Sequence, residues 1–222
     1  MLFLFVFGAS CGGQNKPALP TEKIGSEAKE VSASRWTHTR YEYTDAAGAS
    51  LIIENGLPRG GQRYTDPDGE VYTYAVFWTR IINETANPLE LKIDFPADAL
   101  ELPWLPGKYY QVLVPPDTMT PDKEGLFNYG LTKLESFLDN NMHQPSSLKR
   151  TIHPKGAGGF YVVILGRINE AAHGALRTGL RLEGQDLFYR VSLVKGPPPL
   201  SLIGEKEIQC GSISLKDLVL QE

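Results

Sequence analysis

Cysteine is nearly absent from this chain: among 222 residues there are two, Cys11 and Cys210. Two cysteines cannot build a disulfide framework or a cysteine-based metal centre. Histidine is almost as scarce. His38, His143, His153 and His173 stand far apart, and none falls in an HxH, HxxxH or HExxH pattern that would turn two imidazoles toward one ion. The sequence therefore implies no metal and no other cofactor. A basic excess is also missing. The net charge of −4 and the pI near 5.6 exclude the positive footprint of a nucleic-acid-binding protein. No apolar run reaches the ~20 residues that a membrane-spanning helix needs. Serine catalysis lacks its GxSxG elbow. The glycine-rich Gly156-Ala157-Gly158-Gly159 precedes a strand pattern, not a helix, so it lacks the helix N-terminus that a phosphate cradle requires. No internal repeat is present.

The N-terminus has a pattern of its own. The short apolar run Leu2-Phe3-Leu4-Phe5-Val6-Phe7 opens into the small residues Gly8-Ala9-Ser10 and then Cys11. These residues resemble the signal peptide and lipobox of bacterial lipoproteins. The resemblance implies that residues 1–10 are removed and that Cys11 is lipidated as the mature N-terminus. It also implies that the lipid holds the chain to a cell-envelope membrane, on the periplasmic or cell-surface side. A single acyl chain binds only reversibly, so a stable anchor takes more than one. Residues 11–34 are rich in Lys, Glu, Ser, Ala and Pro and carry almost no large apolar side chain. Such a segment cannot bury enough surface to order itself and reads as a disordered tether. With Cys11 lipidated, Cys210 stands alone. Alternating with Ile208, it reads as a small buried hydrophobe on a C-terminal strand.

From residue 35 to 222 the period is two. Hydrophobic residues make up 41% of the chain, enough for a real core, and 22 Gly with 16 Pro supply frequent turns. Leu89, Leu91, Ile93 and Phe95 alternate with Glu90, Lys92 and Asp94 as one inward face. Val71 to Trp78 is apolar on both faces, as a central strand is. Asp66-Pro67-Asp68-Gly69 has hairpin-turn chemistry, and its likeness to a calcium loop fails for want of the second alternate ligand and the flanking helices. Asn55-Gly56 and Pro58-Arg59-Gly60-Gly61 read as a loop. Tyr109 to Val114, between prolines, reads as an edge strand. Leu126, Phe127, Leu131, Leu134, Phe137 and Leu138 recur at helical spacing, which predicts one helix near 122–140, capped by Asp122 and packed over the end of the sandwich. The strands around it predict an all-β fold, an Ig-like or jelly-roll-like antiparallel β-sandwich, in one domain. Leu91, Ile93, Tyr74, Val76, Val163, Leu165, Val191 and Leu193 are expected to share its core.

Nothing in this pattern pairs a nucleophile with a base, so the sequence reads as a non-enzymatic module that binds an envelope protein or a glycan. Trp104, Tyr109 and Tyr110, three aromatics among prolines, are the candidate contact surface, because Trp and Tyr are enriched at interfaces. Asp117-Thr118-Met119 has the form of a short envelope O-glycosylation acceptor, with Thr118 as the modified residue. The alternative is a secreted hydrolase using carboxylates such as Asp94, Asp98 or Glu101, whose pairing across strands leaves no spacing signal. The N-terminal reading has a direct test. Cys11→Ala should move the protein from the membrane fraction to the soluble one, and mass spectrometry of the native chain should show an acylated Cys11; an unmodified cysteine refutes the anchor.

Overall fold

The computed structural model describes residues 34–45, 48–98, 100–167 and 174–214. Cys11, the signal segment, most of the tether and His173 lie outside the described residues. Ser34, at the end of the expected tether, is already bonded into the fold: its carbonyl accepts from Thr37 N and its hydroxyl donates to the Glu124 carboxylate.

Two antiparallel sheets face each other, as the period-two pattern predicts. The larger one holds β1 (Thr37–Thr44), β2 (Ser50–Gly56), β3 (Arg59–Thr65), β4 (Val71–Asn83), β6 (Leu100–Glu101), β7 (Tyr109–Leu113) and β9 (Ala157–Arg167). Its order is β1-β2-β4-β9-β7-β6. The smaller sheet has the order β10-β11-β12-β5-β8, from β5 (Leu89–Phe95), β8 (Ser146–Ile152), β10 (Ala175–Glu183), β11 (Asp186–Lys195) and β12 (Ser201–Ser214). Short β6 keeps β7 from being the outermost strand, so the edge expected for Tyr109 to Val114 lies one strand further out. The expected loop is mostly strand: Asn55 and Gly56 end β2, and Arg59 to Gly61 open β3. β2 and β3 run end to end along one edge of β4, with the break at Leu57-Pro58 and a bulge between Gly60 and Gln62. The break falls where Trp78 stands. A side chain at Gly56 would run into the Trp78 indole, so glycine lets that ring lie flat on the strand. The Asp66 turn forms as expected. Asp66 Oδ1 accepts from Asp68 N at 3.0 Å and Glu70 N at 2.8 Å, which commits that carboxylate to the hairpin.

The expected shared core divides in two. Leu91, Ile93 and Val191 lie between the sheets with Leu51, Phe77, Ile81, Val162 and Ile164. Tyr74, Val76, Val163 and Leu165 point the other way, into a second apolar layer on the outer face of the larger sheet. Leu193 is buried as well. The second layer exists because β4 and β9 are apolar on both faces, and the chain between β7 and β8 covers the outer one with Met119, Tyr129, Leu131, Leu134 and Leu138. The inserted helix therefore lies on a sheet face and not over the end of the sandwich. It is also shorter than expected: α1 spans Leu134–Asn141, preceded by 3-10 turns at Pro121–Lys123 and Phe127–Gly130. Lys133, at φ 56°, breaks the helical run, and Asn128, Tyr129 and Gly130 are consecutively left-handed at φ 44°, 56° and 69°. Leu126 and Phe127, which the helical spacing placed inward, are exposed.

Side chains close the gap between the sheets. Asn55, on β2, is buried and points at the edge of β10. Its Nδ2 donates to Leu180 O at 3.0 Å, and its Oδ1 accepts from Leu180 N at 2.8 Å. Tyr43 Oη accepts from Leu182 N at 2.8 Å one pair further along. On the opposite edge Arg150 donates to the carbonyls of Gly159, Pro116 and Asp117, and Ser146 Oγ accepts from Val114 N at 2.7 Å. The interior edge of β12 is different. β5 pairs only with its last four residues, Gly211 to Ser214. Asn55→Ala would strand the Leu180 amide and carbonyl and the Thr79 hydroxyl, which donates to Asn55 Oδ1 at 2.9 Å. Stranded buried groups cost ~1–3 kcal/mol each, so chemical denaturation should show a loss of about 3 kcal/mol or more. A loss under ~0.5 kcal/mol, typical of a surface site, would refute the role given to this amide.

Candidate functional site

Facing sheets need side chains to fill the space between them. At one end of this sandwich those side chains are missing. Register places Thr73, Gly166 and Tyr110 in one row across β4, β9 and β7, and Ala75, Ile164 and Val112 in the next. Gly60 and Gly61 continue the small surface on β3, and Gly174 and Ala175 provide it on the β10 side. The result is an open mouth of about 400 Å³ between the sheets, a size in the ordinary range of small-molecule sites.

Tyr110 forms one wall. Its ring lies against Gly166, where an added Cβ would come within 2.7 Å of the ring carbon Cε1, so the glycine is what lets the phenol reach the mouth. Thr73, Ala75 and Leu176 stand half-exposed around the opening. Tyr74 offers its backbone alone, because its hydroxyl turns to the outer face and donates to Gln62 Oε1 at 2.6 Å. Among the described residues no carboxylate and no histidine lines this mouth.

The other sequence candidates scatter. Tyr109 is half-exposed, but Tyr110 is buried and Trp104 packs against the inter-sheet core. The Trp104 indole lies on Gly204 of β12, and its Nε1 is buried without a hydrogen bond. The three aromatics are thus not one contact surface: Tyr110 joins the mouth, and Trp104 seals an edge. Thr118 is exposed beside an isolated bridge to Phe160, and its carbonyl accepts from Lys123 Nζ at 2.7 Å. Asp94 faces solvent, paired with Lys92 at 2.7 Å. Asp98 and Glu101 do share a small cleft, of about 150 Å³, with Lys206. Glu101 is committed there, since its Oε1 accepts from Gly107 N at 2.9 Å. Cys210 is buried, with its thiol pushed up to about 12 by burial and then by the Asp94 charge, which keeps it protonated and unreactive. No group of three or more His, Cys, Asp or Glu that could hold a metal ion occurs among the described residues.

Sequence reasoning missed the mouth because its signal is an absence spread over four strands. Glycine, alanine and threonine at single positions carry no pattern until pairing sets them side by side. Comparison with known proteins adds no neighbour: no family model, no curated protein and no solved structure matches the chain.

This architecture also alters the titration of His38. It sits at a bulge in β1, between Thr37 and Thr39. Burial, and then the Arg177 charge, lower its pKa from 6.5 to about 4. Folding therefore opposes its protonation, and the stability tied to the neutral ring is complete above pH 6.5. It is lost as pH falls from 6.5 toward 4, where the unfolded chain binds the extra proton. NMR titration should find the His38 ring neutral at pH 5. The pH dependence of urea unfolding between pH 7 and 5 should flatten in His38→Gln; a ring that titrates near 6.5 would contradict this.

Proposed function

We propose that this protein is a lipid-anchored binding domain of a cell envelope, and that the mouth between its sheets receives the end of a glycan. The observation that carries this reading is the 400 Å³ mouth itself, paved with glycine, alanine and threonine and walled by one aromatic ring. Such a surface suits a sugar. The apolar face of a pyranose can rest on Tyr110, while its hydroxyls reach the Thr73 hydroxyl and backbone groups that glycine leaves uncovered. The anchor rests on Gly8-Ala9-Ser10-Cys11, and the tether would let the domain reach ligands away from the membrane surface.

The test is a glycan array probed with the Cys11→Ala chain. We expect a defined set of glycans to be retained. Ala75→Trp, which plugs the mouth from the half-exposed face of β4, should weaken capture at least tenfold with a melting temperature close to that of the parent. Tyr110→Ala should weaken capture too, with some loss of stability because the ring is buried. An array with no retained glycan, or capture undiminished in Ala75→Trp, overturns the reading.

A further inference from the structure

A second cavity, of about 220 Å³, opens on the side of the sandwich where β1 overhangs the outer face of the smaller sheet. It is lined by His38 and Thr39 of β1, Arg177 and Gly179 of β10, and Ser192 and Glu205 of the neighbouring strands, with Arg190 at the same level. Register explains the grouping. Arg177, Ser192 and Glu205 form one row across β10, β11 and β12, and Gly179, Arg190 and Glu207 form the next. The missing side chain at Gly179 opens the floor, beyond which lie Thr39 Oγ1 and the Asn55 amide. The β1 bulge turns His38 into the space.

The charges in this cavity do not balance. Glu207 is held by two arginines: Arg181 Nε at 2.6 Å and Arg190 Nε at 3.0 Å. Those contacts, Arg181 foremost, hold its carboxyl down to about 2. Glu205 lies 3.9 Å from the Arg190 Nε. Among the described residues Arg177 has no such partner. Its guanidinium donates to the carbonyl of Leu176 at 3.0 Å, and no carboxylate of the described residues lies within ion-pair distance. Burial disfavours its charge, yet a guanidinium does not deprotonate in proteins. A half-buried cation without a counter-ion is costly. Beside it Ser192 is buried and lines the same space. Thr39 Oγ1 accepts from Asn55 Nδ2 at 3.1 Å, which leaves its own proton to give.

We propose that this cavity binds the oxyanion group of a small ligand, with Arg177 as its counter-charge and Ser192 and Thr39 as hydroxyl donors. The volume admits a carboxylate, sulfate or phosphate group with a few carbon atoms and excludes a polymer. Planar guanidinium geometry matches all three groups. Glu205, facing the same space, disfavours polyanions, so the site selects a single oxyanion group. Neutral His38 presents a donor or an acceptor to the ligand, and an anion bound beside it would favour its protonation. This assignment is independent of the glycan-binding mouth, which lies at the end of the sandwich and shares no lining residue with it.

Isothermal titration of the full chain carrying Cys11→Ala, at pH 7 in low chloride, tests it with sodium sulfate, sodium phosphate and sodium glucuronate. We expect saturable heat with at least one of the three, and the anion that binds identifies the group. Arg177→Met should weaken that binding at least tenfold. Because it removes an unpaired half-buried charge, it should melt no lower than the parent. The parent also gives a readout that needs no variant: the His38 ring protons should shift on titration with the binding anion and not with chloride at equal ionic strength. Absence of heat with all three anions, equal affinity in Arg177→Met, or unmoved His38 resonances would each overturn the proposal.

Discussion

One buried carboxamide joins the two sheets along the edge where they would otherwise splay. Asn55 presents an acceptor and a donor to the Leu180 amide and carbonyl, as a neighbouring strand would. That gives the edge of β10 a partner it could not obtain from another strand, because β1 and β2 belong to the other sheet. The same side chain accepts from the Thr79 hydroxyl and donates to Thr39, so four groups converge on it. Neither hydrophobic faces nor backbone ladders fix the angle between two sheets with such precision, since apolar packing is non-directional. The side cavity depends on this joint, because Gly179 and His38 flank the strands it connects.

The outer face of the larger sheet needed a different solution. It is apolar, and it is crossed by a charged line in which Arg80 donates to Glu54 at 2.8 Å and also reaches Glu124 at 3.2 Å. Glu124 belongs to the inserted segment, so this line fastens the cover to the sheet. Tyr129 fastens it again: its hydroxyl donates to Leu57 O at 2.6 Å, and its carbonyl accepts from Tyr161. The edge-on contact of its ring with Trp78, at 6.3 Å, completes the anchor. Two left-handed non-glycine residues, Asn128 and Tyr129, cost ~1–3 kcal/mol each, and the full burial of the Tyr129 ring opposes that cost. Arg59 stacks over Trp36 at 3.9 Å and lies 5.2 Å from the Tyr129 ring, so the chain entering the domain is held by the same layer.

Much of this was legible residue by residue. The alternation from Leu89 to Phe95 named its inward face, the two-sided run from Val71 named the central strand, and Asp66-Pro67-Asp68-Gly69 named its hairpin. The helix was misjudged where local pattern and tertiary demand part. Leu126 and Phe127 fit a helical stripe, but the chain turns left-handed at Asn128, Tyr129 and Lys133, and Tyr129 is drawn into the outer layer while Leu126 and Phe127 stay exposed. The second core was hidden because a strand apolar on both faces does not say which side is covered by another sheet and which by an insertion. Of the aromatic candidates, Tyr110 does line a cavity, for a reason the sequence could not supply: Gly166 is its neighbour through β7–β9 pairing, 56 positions along the chain. Arg177 and Ser192 carry no site signal in the sequence, because only β10–β11 pairing sets them side by side.

The partial pairing of β12 leaves much of one backbone edge without a strand partner. β12 has fourteen residues, and β5 meets only the last four, so the stretch before Gly211 turns an open backbone edge toward the Pro-rich loop. Open edges invite another strand to add itself, and folded proteins guard them with bulk, charge or bulges. Here the Trp104 ring lies across Gly204, and the Lys206 ammonium donates to Glu101 O at 3.0 Å, so a ring and a cation occupy the path along which an incoming chain would align. The bulge at Cys210 further breaks the spacing a second ladder would need. Trp104 thus covers part of the edge that β5 leaves unpaired.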